Sequence, residues 1–169
     1  MITILTHNYP KYKSENSGTF IRDLWNLIDV EREFVGHLKF RQVNLVSYLI
    51  GTWKELRRKK NLIVAYWIYP AGLLAWLSRR PYILNCIGVD IYALGKSKLF
   101  ALMARPILDR ALELVFIGHR PMRIFKEIYG SRYDNKSHLI YLPVNPEDFE
   151  NDGKTGNSDS SQYRPAQKD

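Results

Sequence analysis

Leu62-Ile63-Val64-Ala65-Tyr66, Trp67-Ile68-Tyr69-Pro70-Ala71-Gly72, Leu73-Leu74 with Leu77, Ser78-Arg79-Arg80-Pro81 and Tyr82-Ile83-Leu84-Asn85-Cys86-Ile87 follow one another without a gap longer than two residues. They read as strand, turn, helix, stop and strand. The two apolar runs lack polar alternation, as strands do when helices cover both faces of their sheet. Pro70 suits a helix start, and Pro81 behind a basic pair suits a helix end. Working outward, Ile2 to Thr6, Leu114 to Ile117 and Leu139 to Leu142 are further strand candidates. Between them lie amphipathic helical patterns: Thr19 to Ile28, a segment carrying Phe40, Val43, Val46, Ile50 and Trp53, Lys98 to Leu112, and Pro121 to Tyr129 stopped by Gly130. Pro106 is expected to kink or split its helix. Repeated βα units of this kind predict an α/β, Rossmann-like three-layer domain over residues 1–149, with a mostly parallel sheet of about five strands. The polar stretch over residues 150–169 is expected to be a disordered tail.

With 169 residues, 46% hydrophobic, the chain is the size of one globular domain and too apolar for a disordered one. No apolar stretch reaches the ~20 residues of a membrane-spanning helix. The opening Met1-Ile2-Thr3-Ile4-Leu5 lacks the basic lead of a secretion signal, so the expected compartment is the cytoplasm. Cys86 is the only cysteine, which leaves no disulfide framework or cysteine metal site within one chain; it reads as a small buried hydrophobe. The net charge of +8 favours anionic partners without choosing among them.

Ligands of open parallel sheets collect beyond the carboxyl ends of the strands. In the first strand-to-helix junction, Thr6-His7-Asn8-Tyr9-Pro10 leads to Ser17-Gly18-Thr19-Phe20. Gly18 permits close approach of a phosphate, and Ser17 or Thr19 can cap the helix. The pattern fits neither G-x-G-x-x-G nor the Walker lysine motif, and a plain turn glycine explains it equally well. Gly95-Lys96-Ser97-Lys98 also lacks Walker spacing and reads as a loop leading into a helix. In the second junction, Tyr66, Trp67 and Tyr69 suit stacking on sugar rings, or ordinary packing. In the third, Gly88-Val89-Asp90-Ile91-Tyr92, Asp90 either accepts hydrogen bonds from a hydroxylated ligand or caps the next helix.

In their order and spacing, these junctions, the unit Val115 to Tyr129 and the run Leu139 to Phe149 resemble the N-terminal domain of retaining GT-B glycosyltransferases, in particular the family 4 enzymes that use nucleotide sugars. The resemblance implies the acceptor-side half of such an enzyme, in shortened form. It implies a nucleotide-sugar donor as substrate, with no metal or other cofactor. Gly18, with Ser17 and Thr19, takes the place of the loop that approaches the donor phosphates. Asp90 falls in the turn lining the cleft, with His7, Tyr66, Trp67, Tyr69, Gly88 and Tyr92 as acceptor or sugar contacts.

The chain also departs from the family pattern. Ile87 stands where a histidine commonly contacts the transferred sugar, and Tyr66 where a histidine often precedes the tryptophan. No counterpart of the donor-binding domain follows, so the expectation is little or no transfer without a separate donor-binding domain or subunit, or a homodimer. The interval before Leu62 is short, leaving Glu33-Phe34-Val35 as the only remnant of the usual strands and an exposed sheet edge beside the first strand. A non-catalytic glycan- or lipid-binding scaffold is the alternative function.

The strongest charge feature is the run containing Arg57, Arg58, Lys59 and Lys60 behind Trp53. A solvated helix C-terminus explains it, since cations are favoured there. Contact with an anionic lipid surface, at the inner membrane face, is the second reading. Nucleic acid is a weaker third, because no binding module accompanies the charge.

Overall fold

The computed structural model describes residues 1–6, 21, 24–25, 28–35 and 45–141. Its strands are β1 (Ile2–Leu5), β2 (Arg32–Val35), β3 (Leu62–Tyr66), β4 (Tyr82–Cys86), β5 (Glu113–Ile117) and β6 (Ser137–Ile140). Its helices are α1 (Leu45–Arg58), α2 (Leu73–Ser78), α3 (Val89–Lys96), α4 (Lys98–Arg110) and α5 (His119–Tyr129). The strands form one six-stranded sheet in the order β2-β1-β3-β4-β5-β6, every pair parallel.

This order dictates the layering. From β3 onward each strand lies beside its predecessor on the same side, so right-handed crossovers put the connecting helices on one face of the sheet. The connection from β1 to β2 runs the opposite way, so its helical residues Ile21, Leu24 and Trp25 fall on the other face. The core divides accordingly. Ile63, Ala65, Leu84, Cys86, Leu114 and Phe116 pack with Tyr48, Leu56, Ile107 and Phe125 in one cluster. Ile4, Val64 and Tyr66, the alternate positions, pack with Ile21 and Trp25 in a second. Cys86 is fully buried, and burial pushes its thiol pKa well up.

Three features depart from the sequence reading or extend it. The residues Glu33-Phe34-Val35 belong to a full parallel edge strand, β2, which gives the sheet a sixth member. Its half-polar pattern is held by Glu33, whose carboxylate accepts from Thr3 Oγ1 (2.7 Å) and Asn61 Nδ2 (3.2 Å) and pairs with Lys59. Helix α4 runs unbroken through Pro106. Donors from neighbouring elements brace it: Tyr82 and Tyr129 hydroxyls donate to the carbonyls of Ile107 and Ala101. Lys136 Nζ donates to the carbonyls of Leu108, Asp109 and Ala111, closing the helix end. Finally, Gly95 and Lys96 complete α3, and Ser97 caps α4 by accepting from the Phe100 N–H at 3.3 Å. The first junction beyond Thr6, the helix start at Phe40 and Val43, and the tail over residues 150–169 lie outside the described residues. Among the described residues no helix is long and apolar enough to cross a membrane.

The Glu33 cluster predicts a pH response. Burial raises the Glu33 pKa, but hydrogen bonds from Lys59, Thr3 and Asn61 and the Lys59 charge outweigh it, leaving the pKa below its ordinary 4.5. A carboxyl with a lowered folded pKa gives stability that is present above 4.5 and is lost as pH falls through the folded value. Urea midpoints measured downward from pH 4.5 should therefore fall less steeply in Glu33→Gln than in the wild type. Parallel slopes would refute the assignment.

Candidate functional site at the carboxyl ends of the strands

Because β3 and β4 are neighbours, the junctions that follow them stand side by side. The first junction leaves β1, the other neighbour of β3, but His7, Ser17, Gly18 and Thr19 lie outside the described residues. Asp90, in the first turn of α3, joins the two described junctions. Its Oδ1 accepts from the Gly88 N–H at 3.0 Å and its Oδ2 from the Ile68 N–H at 3.1 Å. The side chain is buried. Burial raises its pKa, opposed by the bonds from Gly88 and Ile68, with a net upward shift. The carboxylate is thus directed at the chain's own backbone, linking turns 22 residues apart in sequence.

Trp67 is the strained element of this rim. It has φ 72° and ψ 146°, a conformation that costs a residue other than glycine about 1–3 kcal/mol. Its peptide is held from both sides: the Trp67 N–H donates to Asn85 O, and the Gly72 N–H donates to Trp67 O, each at 3.0 Å. The chain kinks next, with Tyr69 extended (φ −129°, ψ 137°), and passes through Gly72 into α2. The next two junctions turn on glycines with positive φ, Gly88 at 137° and Gly118 at 91°. There the missing side chain is needed for the backbone alone.

The other aromatic candidates divide between rim and interior. Tyr66 is buried, and its hydroxyl accepts from Trp25 Nε1 at 2.8 Å; burial pushes its pKa up to about 12. Tyr69 packs its ring on Phe100 at 4.5 Å, on the α4 side, with its hydroxyl buried. Trp67 is half-buried and, like Ile87, packs against the second core cluster. Tyr92 is exposed, with the Arg120 guanidinium 5.5 Å from its ring centre. Thus Trp67, Gly88 and Tyr92 border the rim, whereas Tyr66 and Tyr69 face the interior.

Sequence reasoning missed the neighbouring polar groups. His119 Nε2 hydrogen-bonds Tyr141 Oη at the start of α5, and Arg120 lies beside it. His119 and Arg120 line a cavity of about 630 Å³ along α5, together with Met122, Arg123, Lys126 and Glu127. A polar helix face gave no motif to mark them. Among the described residues no three His, Cys, Asp or Glu side chains converge as a metal site would require.

The basic run lies at the opposite edge, where α1 ends and β3 begins. It is not one patch. Lys59 turns to Glu33, Arg57 stacks on the Trp53 ring at 5.0 Å, and Arg58 and Lys60 are exposed. Compared with known proteins, the chain matches no family model and no curated protein. Fold and site define a parallel α/β domain of Rossmann-like form with a strained aromatic rim at the ends of β3 and β4.

Proposed function

We propose that the chain is the acceptor-side domain of a nucleotide-sugar-dependent glycosyltransferase, working with a separate donor-binding domain or subunit. The observation that carries this reading is the rim itself: Asp90 joins two strand-to-helix junctions at one edge, and strain is retained at Trp67 beside them. In the proposed reaction an acceptor hydroxyl forms a bond to the anomeric carbon of the donor. The nucleoside diphosphate leaves with the electron pair of the broken C–O bond, and the hydroxyl proton leaves with the departing phosphate. Backbone N–H groups near Gly18 would share the stabilisation of that phosphate with the second domain, and closure of the two would exclude water.

Isothermal titration of a nucleotide sugar, with and without candidate partner chains, tests the proposal. Binding and turnover are expected only with the partner, and Gly18→Val should weaken donor affinity about tenfold by denying the phosphate its approach. Unchanged donor affinity in that variant would refute the role of the loop. Absence of binding and turnover with every partner would refute the enzyme.

A non-catalytic glycan-binding scaffold is the second reading. It is favoured by the inward placement of Asp90 and Tyr66, whose polar atoms are engaged by Gly88, Ile68 and Trp25. It predicts glycan affinity without turnover in the same titrations.

A further inference from the structure

The amino-terminal edge of the sheet carries a second concavity, built where three helices end. Arg57 comes from the last turn of α1, Arg79 and Arg80 follow α2, and Arg110 closes α4. Together with Trp53 and Trp76 they line a cavity of about 780 Å³ whose wall, among the described residues, includes no Asp or Glu. Each arginine alone is explained by a helix C-terminus, which favours a cation. Their convergence is not explained in that way, because like charges around one hollow repel. No carboxylate among the described residues forms an ion pair with any of the four; the pairs present involve other cations.

The wall is also positioned. Trp53 Nε1 donates to Leu77 O at 3.1 Å, Arg57 stacks on that indole, and Arg80 donates to Arg57 O at 3.2 Å. Trp53 and Leu77 continue from this cavity into a smaller apolar groove of about 160 Å³ with Leu49, Ile50, Leu73 and Leu74. Beside it, α1 exposes Val46 (64%) and Ile50 (48%), and α2 exposes Leu77 (44%). Val46, Ile50, Trp53 and Arg57 follow one stripe of α1, apolar first and cationic last.

We propose that this surface docks on anionic phospholipid in a bilayer, with headgroup phosphates in the arginine-lined cavity and acyl chains against Ile50, Trp53 and Leu77. Guanidinium forks match phosphate oxygens in pairs, and an indole at the border of charged and apolar surface suits the headgroup level. Charge complementarity selects an anionic layer, and the adjoining groove selects a lipid over a soluble phosphate. The site is independent of the proposed sugar transfer, because it lies at the opposite ends of the strands from the rim.

The test is sedimentation of the full chain with vesicles of phosphatidylcholine, alone or mixed with phosphatidylglycerol. Binding is expected only to the mixed vesicles. It should weaken about a hundredfold when Arg57→Gln, Arg80→Gln and Arg110→Gln are combined. Ile50→Asp, an exposed position, should weaken it at least about tenfold, and it decides the matter alone if the triple variant does not fold by circular dichroism. Inorganic diphosphate and a DNA duplex, titrated in solution, should bind far more weakly than the mixed vesicles. Equal binding to both vesicle types, full-strength binding by Ile50→Asp, or diphosphate or DNA binding as tight as that to vesicles would overturn the proposal. Failure of sugar transfer would leave it standing.

Discussion

Asp90→Ala is expected to lower the unfolding free energy by about 3 kcal/mol. The substitution removes the acceptor of two buried backbone donors, Gly88 N–H and Ile68 N–H. An unsatisfied buried donor costs about 1–3 kcal/mol. Two such donors would cost about 2–6 kcal/mol, and removing a carboxylate whose burial already raises its pKa returns part of that loss, which holds the expectation in the lower half of that range. Asp90→Asn retains one acceptor oxygen but presents an N–H₂ group to the other donor, so its loss should be smaller, about 1–2 kcal/mol. Urea unfolding of the three proteins measures both. An alanine variant with the wild-type midpoint would show that the two turns do not depend on this carboxylate. Acidification should act on Asp90 in the opposite sense to Glu33. A raised folded pKa means that the native state holds the proton more tightly, so this group favours folding as pH falls toward its ordinary 3.8.

Gly72→Val should cost a similar amount, about 3 kcal/mol, for a different reason. Gly72 has ordinary helical angles, φ −60° and ψ −39°, so no special conformation requires glycine there. Space does. A Cβ would stand 2.9 Å from Leu84 Cδ1, 3.2 Å from Ile107 Cγ2 and 3.3 Å from the Trp67 carbonyl oxygen. Leu84 and Ile107 belong to the packed core, and the Trp67 carbonyl is fixed by the hydrogen bond from Gly72 itself. Alanine adds only that Cβ, just ahead of the helix interior, so Gly72→Ala should cost less, about 1 kcal/mol. Valine adds two more methyl groups with nowhere to go. Thermal unfolding should separate the pair clearly; equal transition temperatures would mean that α2 can move away from β4 without loss.

The central strands were legible because continuous apolar runs such as Leu62–Tyr66 and Tyr82–Cys86 need no partner to be recognised. β2 was harder to read. Arg32 and Glu33 are polar, and the reason for strand structure there is the contact of Glu33 with Thr3, Asn61 and Lys59, which no local window contains. Pro106 does not split α4, and the hydroxyl and ammonium donors bracing that helix come from β4, α5 and the turn before β6, again outside any local window. For Asp90, the open choice between ligand acceptor and helix cap omitted a third arrangement, a bond to Ile68 in the preceding strand-to-helix unit. The basic groups showed the limit most directly. Adjacency grouped Arg57 to Lys60, but folding sends Lys59 to Glu33 and gathers Arg79, Arg80 and Arg110 around Arg57. Composition revealed the excess of cations; only the parallel alignment of α1, α2 and α4 brings their ends together.

The Lys136 ammonium, clasping three carbonyls at the end of α4, is also a chemical handle. Acylation would abolish its charge and leave one N–H, enough for one of those oxygens. Reagents that modify amines would therefore loosen the sheet at its β6 margin through Lys136 and, through Lys59, at the Glu33 margin as well.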